Sequence, residues 1–310
     1  GPFLEMAQEH LVTYSTEFVD MYNLQDLSQV YKTEPPKDFE IMALSPKSKK
    51  LLAMNDDKLF LYNIEGSSLL PKEKKLLLHT DLFDLRAVRF YDSDKAFVVG
   101  GRKAGWMNVT DMSTEIVMDF PKPILLPTPR FCCSGKLLVT LGDDSLVNVR
   151  RVSDGSTVAS FLPTTFVEEA AVSPDLTYIA IRATKTDLFD LKTRKRLLSV
   201  GKGLFDVSFS ADNKMLFGYT TDGFVGIDIE QRDVAMTVAV PGTIHKLITG
   251  SGKALAFANT GAYLIDIEGQ KVISAWQRED FEARTVTWRN GLCVFQDTER
   301  NIYTIGVSLD

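Results

Sequence analysis

The stretch Ala170–Ile181, AAVSPDLTYIAI, reads as two short apolar strands around a tight turn. Proline presets φ in such a turn, and Ser and Asp side chains hydrogen-bond the backbone that follows. The same plan returns at Met42–Met54 (MALSPKSKKLLAM), Arg130–Leu141 (RFCCSGKLLVTL), Asp206–Tyr219 (DVSFSADNKMLFGY) and Lys246–Phe257 (KLITGSGKALAF). With the first turn residue as anchor, the marks fall at Ser45, Tyr91, Cys133, Ser173, Ser210, Thr249 and Arg289, spaced 46, 42, 40, 37, 39 and 40 residues apart.

A period of about 40 residues with several short strands per unit is the signature of β-propeller blades, whereas helical repeats of that length carry a period of about 3.6 residues. The third strand of each unit supplies a second mark: YNL at Tyr22, YNI at Tyr62, FDL at Phe189, and IDI at both Ile227 and Ile265. A bulky apolar residue packs between blades at that point, while Asp or Asn ties down the next turn. Two units depart from it, with Val109-Thr110 and Arg151-Val152 at the corresponding places. These endings resemble the Trp-Asp ending of WD repeats, and the chain is similar over its length to a degenerate member of that superfamily. The resemblance implies a scaffold within complexes, or a sensor region beside ATPase modules.

The expected fold is all-β, a single propeller of four-stranded antiparallel blades over 3–310. Its units run about 3–35, 38–79, 84–120, 124–162, 166–200, 203–240, 243–277 and 282–310, which makes eight blades; seven result if Leu27–Thr33 closes the last one. Gly1-Pro2 resembles the remnant of an expression tag and is left out of the fold, and a fragment of a larger protein is expected.

The 310 residues are 45% hydrophobic and 25% charged, an ordinary globular composition, with a net charge of -6 that disfavours a general nucleic-acid surface. Basic runs at Pro46–Lys50, Lys72–Lys75 and Lys192–Arg196 read as solvated hairpins. Three cysteines, Cys132, Cys133 and Cys293, make no disulfide framework, so a reducing compartment, cytoplasmic or nuclear, is expected. No apolar run reaches the roughly 20 residues of a membrane span. The sequon Asn108-Val109-Thr110 is read as a chance triplet.

No catalytic constellation is legible. His10, His79 and His245 lie in different units, without the spacing of a zinc site. The resemblance to WD repeats, which often carry a structural histidine, implies that role for His79 and His245, with plain surface residues as the alternative. Cys132 and Cys133 would face opposite sides of a strand and share no metal. Asp56-Asp57 and Asp143-Asp144 fall in turns, and no calcium-loop spacing occurs. TGSGKA (Thr249–Ala254) resembles a phosphate-binding loop, but Leu247 stands where its first glycine belongs and Ala254 replaces the metal-binding hydroxyl. VVGGRKAG (Val98–Gly105) has no helix after it to hold an anion. No catalytic residue, metal or cofactor is therefore expected. Trp106, Trp276 and Trp288 are read as core.

Surface recognition is what remains. Five residues before each anchor lie Glu40, Arg86, Thr128, Glu168, Phe205, Ile244 and Arg284, expected to ring a channel mouth with Arg102 and Lys103 beside them. From these, Glu40, Arg86, Arg102, Lys103, Glu168, Phe205 and Arg284 are the candidate protein-binding residues, since arginine and aromatic side chains most often carry interface energy. The expected function is a non-catalytic platform for a peptide or folded protein partner, at the channel mouth or the disc edge. The alternatives are a nucleic-acid module using Arg86, Arg102, Lys103 and Arg284, or a small-ligand or enzymatic propeller.

Overall fold

The computed structural model describes residues 3–7, 10–14, 19–26, 28–33, 41–47, 49–55, 58–65, 68–76, 84–120, 123–124, 129–141, 146–163, 166–201, 203–289, 291–299 and 301–309. They form two compact units, Gly1–Thr157 and Val158–Asp310. Both are built from antiparallel sheets whose strands lie side by side in chain order. Blades 1 (3–33), 2 (41–76) and 3 (87–119) belong to the first unit, and blades 5 (169–200), 6 (205–238) and 7 (244–277) to the second. Blade 4 (130–161) has its fourth strand, Thr157–Phe161, at the division. The all-β architecture is that of a propeller.

Among the described residues seven sheets carry the four strands of a blade, not eight. The expected last unit, 282–310, has three strands among the described residues: Ala283–Arg289, Leu292–Asp297 and Ile302–Gly306. After Gly306 the chain leaves its sheet and crosses to blade 7, where the Leu309 carbonyl accepts the Gly252 and Lys253 N–H groups at 3.1 and 3.0 Å.

The second strand of each unit shows why the sheets stack. Leu137–Leu141, Met215–Thr220, Lys253–Ala258 and Leu292–Asp297 are buried along nearly their whole length. Alternate side chains point to opposite faces of a strand, so one run serves two cores. In blade 2, Leu51 and Ala53 pack toward blade 1, while Leu52 packs toward blade 3. In blade 7, Ala254, Ala256 and Ala258 face blade 6, whereas Leu255 and Phe257 face the terminal sheet. Phe217, Phe224, Phe257, Phe281 and Phe295 are fully buried in these layers, each worth roughly 2–3 kcal/mol of transfer free energy.

The anchor serines sit at the centre of their turns. Ser45, Ser173 and Ser210 are buried. The Ser173 hydroxyl donates to Asp175 Oδ1 (2.7 Å) and accepts the Thr177 and Tyr178 N–H groups (3.1 and 2.8 Å). Ser210 repeats this with Asp212 and Met215, at 2.6 and 2.9 Å. The third-strand mark also does what its chemistry requires: Asn23, Asp190 and Asp228 side chains accept backbone N–H groups two or three residues on. Blade 3 does not depart from this pattern, because Met107-Asn108 rather than Val109-Thr110 stands at the mark, and Asn108 Oδ1 accepts the Thr110 N–H at 2.9 Å. Blade 4 does depart, with Arg151 there, and Asp154 Oδ1 caps the turn through the Ser156 N–H instead.

Candidate protein-binding surface

Glu168 precedes the first strand of blade 5, Glu169–Val172, and its N–H donates to the Arg182 carbonyl at the end of the second strand. The register pairs Glu169 with Arg182. The Arg182 guanidinium lies between two carboxylates, bonded through Nη1 to Glu168 and through Nε to Glu169 at 3.4 Å. Glu169 is buried and Glu168 exposed, so one partner neutralises the site while the other presents charge to solvent. Arg182 also stands 4.3 Å from the ring centre of Phe205. Phe205 opens blade 6 and stacks on its cross-strand neighbour Tyr219, at 5.3 Å between ring centres and 22° between planes.

The next junctions are fastened differently. Asp206 adopts φ 48° in a β-bulge between Phe205 and Ser208. The bulge turns its carboxylate toward blade 7, where Oδ1 pairs with Lys246 Nζ and Oδ2 accepts the Leu247 N–H, both at 2.8 Å. His245 Nε2 accepts the Ala283 N–H at 2.8 Å, joining blade 7 to the terminal sheet. Burial holds the His245 imidazole below the ordinary histidine range, against the opposing pull of Glu282, the Thr243 backbone and Asp206. Burial raises the Tyr219 hydroxyl well above the ordinary tyrosine range, with Asp206 and Glu169 adding to it, so the ring stays neutral.

Three large apolar side chains of blades 4 to 6 and the segment between are exposed. Phe205 is 41% exposed, and the segment leading to Glu168 carries Phe166 at 66% and Leu162 at 72%. Aromatic rings held by packing and flanked by charge are typical interface anchors.

The other expected residues are distributed as follows. Arg86 is half-buried and ion-paired with Asp84. Arg102 is exposed in the turn after Val99, and Lys103 starts the strand Lys103–Asn108. These three belong to the first unit, and Glu168, Phe205 and Arg284 to the second. Glu168 and Phe205 are brought together through Arg182, and Arg86, Arg102 and Lys103 share one end of blade 3, where the Arg86 N–H donates to the Val99 carbonyl and the Gly100 N–H to the Lys103 carbonyl. Arg284 is exposed in a bulge of the terminal sheet. Ile244, counted in the same ring, is buried, and Glu40 and Thr128 lie outside the described residues. Sequence reasoning missed Arg182, Asp206, Tyr219 and Lys246; the signal available was a charged or aromatic residue at a strand end beside each counted position.

Among the described residues no group of three or more His, Cys, Asp or Glu is placed to hold a metal, and no helix is long and apolar enough to cross a membrane. His79, Asp56-Asp57 and Asp143-Asp144 lie outside them. Cys133 is not in a strand with Cys132 but in the short 3-10 turn Cys133–Gly135, with φ 52°. Cys293 is buried, which pushes its thiol up to about 12. The three tryptophans pack against apolar cores.

Comparison with protein-family models and with curated proteins finds no match. Among solved structures the chain is similar to the computationally designed Ika8 protein, at 10% identity and TM-score 0.72, over 98% of this chain and 95% of that one. It is also similar to dihydro-heme d1 dehydrogenase NirN in complex with DHE, at 14% identity and TM-score 0.71, over 90% of this chain and 66% of that one. At these identities the likeness is one of fold.

Proposed function

We propose that the chain is a non-catalytic protein-interaction platform, part of a larger assembly or polypeptide, and that it docks a protein partner around Phe205. The observation that carries this reading is the exposed Phe205 ring, fixed between Arg182 and Tyr219. A surface held in place by packing binds with little loss of conformational freedom. The ionisable groups here are committed to structural partners: Arg182 to Glu168 and Glu169, Asp206 to Lys246, His245 to Ala283. The WD-like endings read in the sequence favour the same role, and three free cysteines fit a cytoplasmic or nuclear setting.

The nucleic-acid alternative loses weight because Arg86 is already paired with Asp84. The test compares partners recovered by affinity purification with the wild type and with Phe166→Ser/Phe205→Ser, both checked for native circular dichroism. Loss of a specific partner from the variant is expected; identical recoveries would reject this surface. Arg182 is a poor choice for this test, since its removal strands the buried Glu169 carboxylate at a cost of about 3–5 kcal/mol.

A further inference from the structure

The terminal sheet ends on its third strand, Ile302–Gly306, where the seven blades each add a fourth. Its inner edge is spoken for: Val307 donates to the Gly291 carbonyl at 2.8 Å, and the Asn301 carbonyl accepts the Asp297 N–H at 3.1 Å. Backbone groups alternate along a strand, so Tyr303 and Ile305 also turn inward, and Ile302, Thr304 and Gly306 present N–H and C=O groups to the outer edge. No strand pairs with that edge among the described residues. A Cβ added to Gly306 would meet nothing within 4 Å. In blade 3, the third-strand Gly105 is pressed by the fourth-strand Glu115 carbonyl, 2.2 Å from where a Cβ would stand.

The composition of this edge is unlike that of most others. Six of the seven fourth strands carry a charged residue, such as Arg196, Asp233 and Lys271, while Ile-Tyr-Thr-Ile-Gly carries none. Charge on an edge strand prevents unwanted pairing. The edge is also held rigidly, since Asp297 binds Asn301 and the Tyr303 hydroxyl, and Tyr303 stacks on Phe295 at 5.3 Å.

We propose that this edge receives an extended segment of a partner polypeptide, which completes the sheet as an antiparallel fourth strand. The sister fourth strands, 5 to 9 residues long, define what fits. Positions opposite Tyr303 and Ile305 share the face that holds Trp276 and take apolar side chains; the alternating positions take polar ones. This surface is separate from the one around Phe205 and does not depend on it.

The test uses a fluorescent peptide with the sequence of a sister strand, Lys271–Gln277 (KVISAWQ), titrated onto the whole protein and read by anisotropy and by amide hydrogen exchange. Saturable binding is expected, with exchange at Thr304 slowed at least tenfold. Thr304→Pro removes an outward N–H and fixes φ there, and should abolish binding; a peptide N-methylated at alternate residues should fail against the wild type, a result that does not depend on how the variant folds. Absence of binding, or binding that survives both changes, overturns the proposal. So does slow exchange at Thr304 in the free protein: if it is independent of concentration, the chain covers its own edge, and if it appears only on concentration, a second copy does.

Discussion

At the residue scale, the turn chemistry of the repeats makes the sharpest predictions. Ser173 is buried with three hydrogen bonds, so Ser173→Ala strips the turn of a donor to Asp175 and an acceptor for the Thr177 and Tyr178 N–H groups. A loss of about 1–3 kcal/mol in urea unfolding is expected, against almost none for Ser199→Ala on an exposed strand position. Gly250 was read from sequence as a turn residue. In the fold a Cβ there would stand 2.2 Å from the Leu309 carbonyl, so the absent side chain makes room for a distant segment. Gly250→Ala should therefore destabilise by more than about 1 kcal/mol, whereas Gly306→Ala, with open space around it, should be close to neutral. The serines were legible because their partners are a few residues away. The reason for Gly250 was not, because it depends on a contact that only the folded chain makes.

At the scale of strands and sheets, the repeat spacing placed the hairpins well, since apolar alternation and turn residues are local signals. What it could not place was the side-chain traffic between neighbouring sheets. Counting five residues back selected Glu168 and Phe205 but passed over Arg182, which joins them from the end of a different strand. For His245 the resemblance to WD repeats offered a structural role beside a plain surface one, and nothing in the sequence marked it as the acceptor for Ala283. Its imidazole accepts that N–H only when neutral. Burial lowers its folded proton affinity, with Glu282 and Asp206 the charged groups acting on it. Its contribution is thus complete above the unfolded value of about 6.5 and is lost as pH falls through the lower folded one. The urea midpoint of the wild type should drop between about pH 7.5 and 5.5 by more than that of His245→Gln, which keeps an uncharged acceptor. Equal drops would show that the bond carries no stability.

At the scale of the whole chain, composition and period were enough to read an all-β propeller, and the number of complete blades was overestimated because the last unit matches the repeat until its final strand. Its buried Cys293 makes that sheet observable by itself. Cys132 and Cys133 are half-buried, and Cys293 is enclosed by apolar side chains with its thiol pushed up to about 12. A thiol reagent should modify at most two groups in the native protein and the third only at the rate at which the terminal sheet opens. Immediate modification of all three would contradict the packing around Phe295. The unlike fastenings between blades have a consequence for assembly. Sheets this similar are at risk of docking on the wrong neighbour while the chain folds. Blade 5 grips blade 6 with a guanidinium on a ring, blade 6 holds blade 7 with a carboxylate, and blade 7 holds the terminal sheet with an imidazole. A permuted chain with blades 6 and 7 exchanged would keep every hairpin and every apolar stripe, yet Asp206 and His245 would each face a stranger, so the order of the blades is itself encoded in the locks between them.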